Sequence, residues 1–229
     1  WVREDQGIKS FADLKGKRLA IAKGTAVQLA ASRLFEQAGF GEKDVRIVNV
    51  LGVAATDAIA TRDIDALLTV SSQVYPLRDR GVGRIVAEFK DPNVQIQQSF
   101  IGTESFIAKY PEATQRIVKV LVKAAQYASD EKNRNDVFRL WGQDGTGYAY
   151  YKEQYGSDTL AEHQTPLIDD YLVGRLKAGI EDSKKFKLIR KDIDLNAWID
   201  RSFLDAALKE LGLQNHWTPY GEDGKPLKR

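Results

Sequence analysis

Two rhythms of apolar and polar positions divide the chain. Up to about residue 101, short apolar runs alternate with stretches in which apolar residues recur every three or four positions. Residues 18–22 read as a buried strand. Val27, Ala30, Ala31, Leu34, Phe35 and Ala38 then share one face of a helix that opens at Gly24-Thr25 and stops at Gly39. Residues 45–50, 65–70 and 84–87 predict further strands, with helices predicted over about 54–61 and 72–79. Ser10 and Asp13 predict a capping box for a short helix over 11–14. Strands separated by helices imply a parallel sheet with helices on its faces.

From about residue 102 the period is helical throughout. Pro111 opens a long helix marked by Ile117, Val118, Leu121, Ala124, Ala125 and Ala128. Asn133 with Asp136 caps another, which ends at Gly142. Thr165-Pro166 predicts the start of a third, along Ile168, Leu172 and Leu176. Asp194 precedes a fourth, along Trp198, Ile199, Leu204, Leu208 and Leu211, closed by Gly212. Each of these helices has one apolar stripe to cover, against its neighbours or against strands outside the sequence. The pattern thus predicts an α/β unit over 1–101 and a helical part over 102–229.

Composition narrows the chemistry. The 34 Lys and Arg nearly cancel the 32 Asp and Glu, leaving +2, and neither half departs from neutrality by more than two charges. That argues against a dedicated nucleic-acid binder. Cysteine is absent, which removes disulfides, thiolate nucleophiles and metal–sulfur sites together. The two histidines, His163 and His216, are 53 residues apart, so neither a metal site nor a cofactor is expected. No apolar run approaches the length of a membrane span. Methionine is also absent, and a processed chain or a fragment is expected. No Gly-x-Ser-x-Gly elbow, Walker loop or G-x-G-x-x-G fingerprint occurs. Asp169-Asp170 fits the first turn of a helix better than a catalytic pair. Trp141, Tyr148, Tyr150, Tyr151 and Tyr155 fit core packing or a loop lid.

The informative positions are three junctions where a strand hands over to a helix. The first, Lys23-Gly24-Thr25-Ala26, leaves backbone N–H groups unpaired at a positive helix end, with Gln28 one turn in. Thr25 either caps that helix or adds a donor for an anion. The second carries the small residues Ala54, Ala55 and Thr56. The third offers Ser71, Ser72 and Gln73. Ligands of open α/β sheets bind outside the carboxyl ends of the strands, and all three junctions lie at such ends.

Residues 7–25, GIKSFADLKGKRLAIAKGT, resemble the second-lobe opening of solute-binding proteins of ABC importers, of the sulfonate, taurine and nitrate type. Residues 52–60 followed by Asp63-Ile-Asp-Ala66, Ser71-Ser-Gln-Val-Tyr-Pro76 and Ala108-Lys-Tyr-Pro-Glu112 are similar to further segments of that family, over roughly 1–129. The resemblance implies a periplasmic-binding-protein-like (type II) α/β clamshell whose first lobe lacks its N-terminal part. The helices after 102 would cover the missing strands of that lobe. It implies that the turn at Gly24, Thr25 and Ala26 holds an anionic head group, with Thr25 and Gln28 donating from their side chains. Ala54, Ala55 and Thr56 would line the pocket, and Ser71 and Gln73 would stand near the hinge. Ser71-Ser-Gln stands where the family shows Trp-Glu-Pro, which implies a ligand different from, or more polar than, an alkyl sulfonate.

The expected function is capture of a small anion between two lobes, with delivery to the membrane subunits of an importer. The expected protein is a monomer, periplasmic or anchored outside the membrane. Two alternatives are an enzyme on the same fold, making a pyrimidine or menaquinone precursor, and the effector domain of a transcription regulator. Replacing Thr25 with Pro is expected to remove one donor with little loss of fold.

Overall fold

Alternation along the strands decides which side of the sheet each residue faces. The computed structural model describes residues 1–88 and 99–227, with backbone alone for Ser71 and Ser72. Within these, five strands form one sheet: β1 (Val2–Arg3), β2 (Arg18–Ala20), β3 (Arg46–Val48), β4 (Ala66–Leu67) and β5 (Gly83–Arg84), in the order β3-β2-β4-β1-β5. Leu19, Ile21 and Ala66 enter one apolar cluster with Ala31 and Phe35. Their neighbours Ala20 and Leu67 enter another, with Ala55, Ile59, Val74 and Leu77. This is the two-residue period of a strand sending alternate side chains to opposite faces. Helix α1 (Ala26–Gln37) therefore covers one face, and α2 (Gly52–Ala60) and α3 (Ser71–Asp79) the other.

The sheet is parallel across β3-β2-β4, as the pattern predicts, and antiparallel at β1. With two residues, β1 is too short to show a period, so the sequence gives no sign of it. It sits between β4 and β5, which makes the sheet mixed instead of wholly parallel. Gly83 permits the pairing: a Cβ there would stand 2.2 Å from the Val2 carbonyl oxygen.

At the amino end of β4, Asp65 is buried and its carboxylate accepts from Arg18 Nε, Arg18 Nη2 and the Arg18 backbone N–H at 2.8–3.2 Å. The Arg18 side-chain bonds, set against burial, hold the carboxyl below the ordinary aspartate range. A carboxyl lowered in the folded state stabilises above its unfolded pKa, near 4, and loses that contribution as acid reaches the folded value. Asp65→Asn is expected to lower unfolding free energy by about 1–2 kcal/mol at pH 7. The gap to wild type is expected to close on acidification below about pH 4. Denaturant titrations at pH 7 and in acid check both.

Two compact units account for the described chain, the first spanning Trp1–Ile96 and Glu181–Arg190, the second Gln97–Ile180 and Lys191–Arg229. In the first, the late segment is fastened to α1 by Arg33 with Asp182 at 2.7 Å and Lys185 with Glu36 at 2.6 Å. The second unit is helical: α4 (Glu104–Lys109), α5 (Pro111–Ser129), α6 (Arg134–Trp141), α7 (Tyr148–Tyr155), α8 (Leu160–His163), α9 (Asp170–Lys185), α10 (Leu195–Trp198) and α11 (Ser202–Leu211), with α9 counted there up to Ile180.

Its core is α5 against α11, where Val122 meets Leu204, Ala207 and Leu208, with Leu213 and Trp217 closing the cluster. Trp217 Nε1 donates to Ser129 Oγ at 2.8 Å, which donates on to the Ala125 carbonyl. The other side of α5 leaves Ile117, Val120 and Leu121 exposed. Two helix starts differ from the pattern. The helix expected from Thr165-Pro166 begins at Asp170, because the Asp169 carboxylate takes the Leu172 and Tyr220 amides. The single helix expected after Asp194 is two, because Asp200 accepts the Ser202 N–H and hydroxyl and restarts it.

Candidate ligand-binding edge

Register aligns the three parallel strands at their carboxyl ends. Ala20 stands opposite Val48 on one side and Leu67 on the other. The three strand-to-helix junctions therefore share one edge of the first unit, the outer two about 10 Å apart at the usual strand spacing. The β2 junction is central.

Gly24 has φ +74, a left-handed turn that reverses the chain before α1. Thr25 follows as the N-cap. Its hydroxyl donates to the Ala22 carbonyl at 2.6 Å and accepts the Val27 amide at 3.2 Å. Of the two roles open to Thr25 in the sequence, the structure shows capping, and its hydroxyl is spent on protein groups.

Two neighbouring amides are also occupied. The Lys23 N–H donates to Asn49 Oδ1 at 2.9 Å, and the Gly24 N–H to Gln28 Oε1 at 2.8 Å. Gln28 Nε2 in turn donates to both Glu42 oxygens at 3.2 and 3.3 Å. What remains open is a pair: among the described residues no acceptor pairs with the Thr25 or Ala26 N–H, and both residues are exposed. The set of open donors is thus narrower than the sequence suggests. It consists of backbone donors at the head of a twelve-residue helix, where partial positive charge collects.

Thr25→Pro is correspondingly a poor probe. Thr25 has φ −120 and holds two side-chain bonds, whereas proline requires φ near −65° and carries no hydroxyl. The substitution is expected to cost stability as well as a donor.

At the β3 junction, α2 starts without a side-chain cap. Ala54 is exposed, and Thr56 returns its hydroxyl to the Val53 carbonyl at 2.8 Å. Ala55, expected as a pocket wall, is 1% exposed and packs against Ile59 in the core. At the β4 junction the Thr69 hydroxyl donates to Gln73 Oε1 at 2.5 Å. The side chains of Ser71 and Ser72, expected at this junction, lie outside the described residues.

The sequence reading missed two kinds of residue. Asn49 and Glu42 hold the central turn, and the signal for them is only their position beside β3. Leu51, Val53 and Val70 stand at the two outer junctions of the same edge as exposed apolar side chains, at 66, 76 and 45%. They read as ordinary strand and helix members until the sheet edge is seen.

Among its described residues the second unit offers no comparable arrangement. His163 Nε2 and Asp158 Oδ2 lie 2.9 Å apart, with the imidazole edge-on to Tyr155. Trp141, Tyr148, Tyr151 and Tyr155 pack around Phe138 and Leu160, which favours core packing over a lid. Burial and then the bond to Asp144 push the Tyr151 hydroxyl up to about 12, so it stays a donor at neutral pH. Among the described residues, no group of three His, Asp or Glu is placed to hold a metal ion, and no helix is long and apolar enough to cross a membrane.

A family model described as NMT1/THI5 like matches residues 1–134. A Brucella abortus (strain 2308) protein named as a binding protein is 26% identical over 125 residues, which is 53% of this chain and 39% of that one. The match thus spans about two fifths of that relative's length. The crystal structure of a periplasmic sulfonate-binding protein SsuA, of a sulfonate ABC transporter from Methylobacillus flagellatus KT, superposes with a TM-score of 0.78. It is 28% identical, over 96% of this chain and 68% of that one. The desulfurization enzyme DSZB superposes at 0.64 with 17% identity, over 92% of this chain and 75% of its own, a likeness of fold alone. The α/β fold is that of the periplasmic binding proteins, as the sequence resemblance implies.

Proposed function

This chain belongs to the NMT1/THI5-like family, and we propose that it holds a small organic anion, a sulfonate first among candidates, at the head of α1 and passes it to an ABC importer. One observation carries the reading. Thr25 and Ala26 are exposed, and their amides have no acceptor among the described residues, at the carboxyl end of β2, the middle of the three parallel strands. Two adjacent N–H groups at a helix N-terminus suit an oxyanion whose oxygens each accept one bond. The likeness over 96% of the chain to a sulfonate-binding protein supports the same ligand class.

Leu51, Val53 and Val70 favour an organic body behind the head group over the more polar ligand that Ser71-Ser-Gln implies, since exposed apolar side chains at the neighbouring junctions suit an amphiphile better than an inorganic ion. A place outside the cytoplasmic membrane follows from the importer role. Calorimetric titration with methanesulfonate, butanesulfonate, taurine and nitrate tests it. Butanesulfonate is expected to bind most tightly and nitrate least. Absence of heat and of thermal shift with every one of the four would overturn the proposal.

A further inference from the structure

The central turn already holds acceptor oxygens of its own. Gln28 Oε1 sits 2.8 Å from the Gly24 N–H, next to the two open amides. The orientation of that side-chain amide is fixed by its neighbours. Its nitrogen must face the two Glu42 oxygens at 3.2 and 3.3 Å, because the reversed amide would set oxygen against carboxylate and NH2 against N–H. Glu42 is itself tied by Lys23 Nζ at 3.5 Å. A neutral carbonyl oxygen thus occupies the donor that a third oxygen of a tetrahedral or planar oxyanion would take.

We propose that Gln28, positioned by Glu42, is an internal competitor for the anion, so that a ligand reaches the Gly24 amide only by displacing the glutamine oxygen. This rests on the sulfonate reading of the same turn and assigns the control of its affinity. In the unliganded chain the glutamine keeps the Gly24 N–H satisfied, so an exposed left-handed turn does not lose a hydrogen bond while it waits. On binding, the sulfonate oxygen replaces one accepted bond with a charge-assisted one, and the difference between the two is what the ligand gains. Glu42 opposes binding twice over. It anchors the competitor, and it adds a negative charge beside a site for anions.

A positioning residue that merely braced the turn would behave in the opposite way, because its loss would weaken binding. The test uses the full chain and butanesulfonate as probe, by calorimetry, in wild type, Gln28→Ala and Glu42→Ala. Both variants are expected to bind about threefold to tenfold more tightly, the range set by one modest hydrogen bond. The Gly24 amide supplies a second readout by NMR. In unliganded Gln28→Ala its hydrogen exchange is expected to be faster than in wild type, and at saturation it is protected equally in both. Variants that bind no tighter than a wild type that does bind would overturn the competitor alone. A Gly24 amide proton that stays unshifted in saturated wild type would do the same. Failure of all three chains to bind any sulfonate would overturn the functional reading itself.

Discussion

Ala26→Pro is expected to leave the fold intact and to weaken sulfonate binding about 10- to 100-fold. Ala26 is the first residue of α1, the position where proline is favoured, because the N–H there has no helical partner. Thr25 before it lies at φ −120, ψ 169, in the extended region that proline demands of its predecessor. No protein hydrogen bond is lost, since the Ala26 N–H has no described acceptor. The stiffer unfolded chain is expected to add up to about 1 kcal/mol of stability. The loss falls on the ligand, because a hydrogen bond to a charged acceptor contributes about 1.5–3 kcal/mol. Calorimetry beside a thermal melt separates the two effects. A melt that collapses would show that the head of α1 does not tolerate the ring. Unchanged affinity in a folded variant would place the anion elsewhere.

Phe35→Ala is expected to do the reverse. Phe35 is 1% exposed and packs against Phe11 and Phe40 with ring centroids 5.7 and 5.1 Å away. Truncating such a ring leaves a cavity and costs about 3–5 kcal/mol. The midpoint of the first unit's unfolding in urea should fall accordingly. At concentrations where the variant remains folded, sulfonate affinity should change little, since Phe35 is on the buried face of α1, about two and a half turns from Ala26. Together the two substitutions separate what α1 contributes to the fold from what its first turn contributes to binding.

Much of the fold was legible because both faces of the sheet are buried. Leu19 and Ile21 going one way and Ala20 the other make 18–22 read as a strand without ambiguity. The spacing of Ala30, Ala31, Leu34 and Phe35 marks α1 as plainly. What escaped is short or set by side-chain capping. Strand β1 has two residues. The starts of α9 and α11 depend on Asp169 and Asp200, two of several carboxylates that could cap a helix nearby, and Asp169 is held in place by the distant Tyr220 amide.

The candidate site divides the same way. The position of the Gly24-Thr25 turn follows from strand, glycine and helix in succession. Which of its amides are open does not follow, because Asn49 reaches Lys23 from beyond β3, and Gln28, one turn in, turns its oxygen back on Gly24 instead of offering a donor. Ala55 lies in the core for a related reason: its neighbour Ala54 is exposed and Thr56 half-buried, and a single residue's step around the helix turns Ala55 inward.

The most direct test of the central claim is to watch the two amides themselves. In an NMR titration of the uniformly 15N-labelled chain with butanesulfonate, the Thr25 and Ala26 amide protons are expected to show the largest downfield shifts, saturating with the calorimetric affinity. Binding that leaves those two resonances in place, with the largest shifts on other backbone groups, would contradict the account.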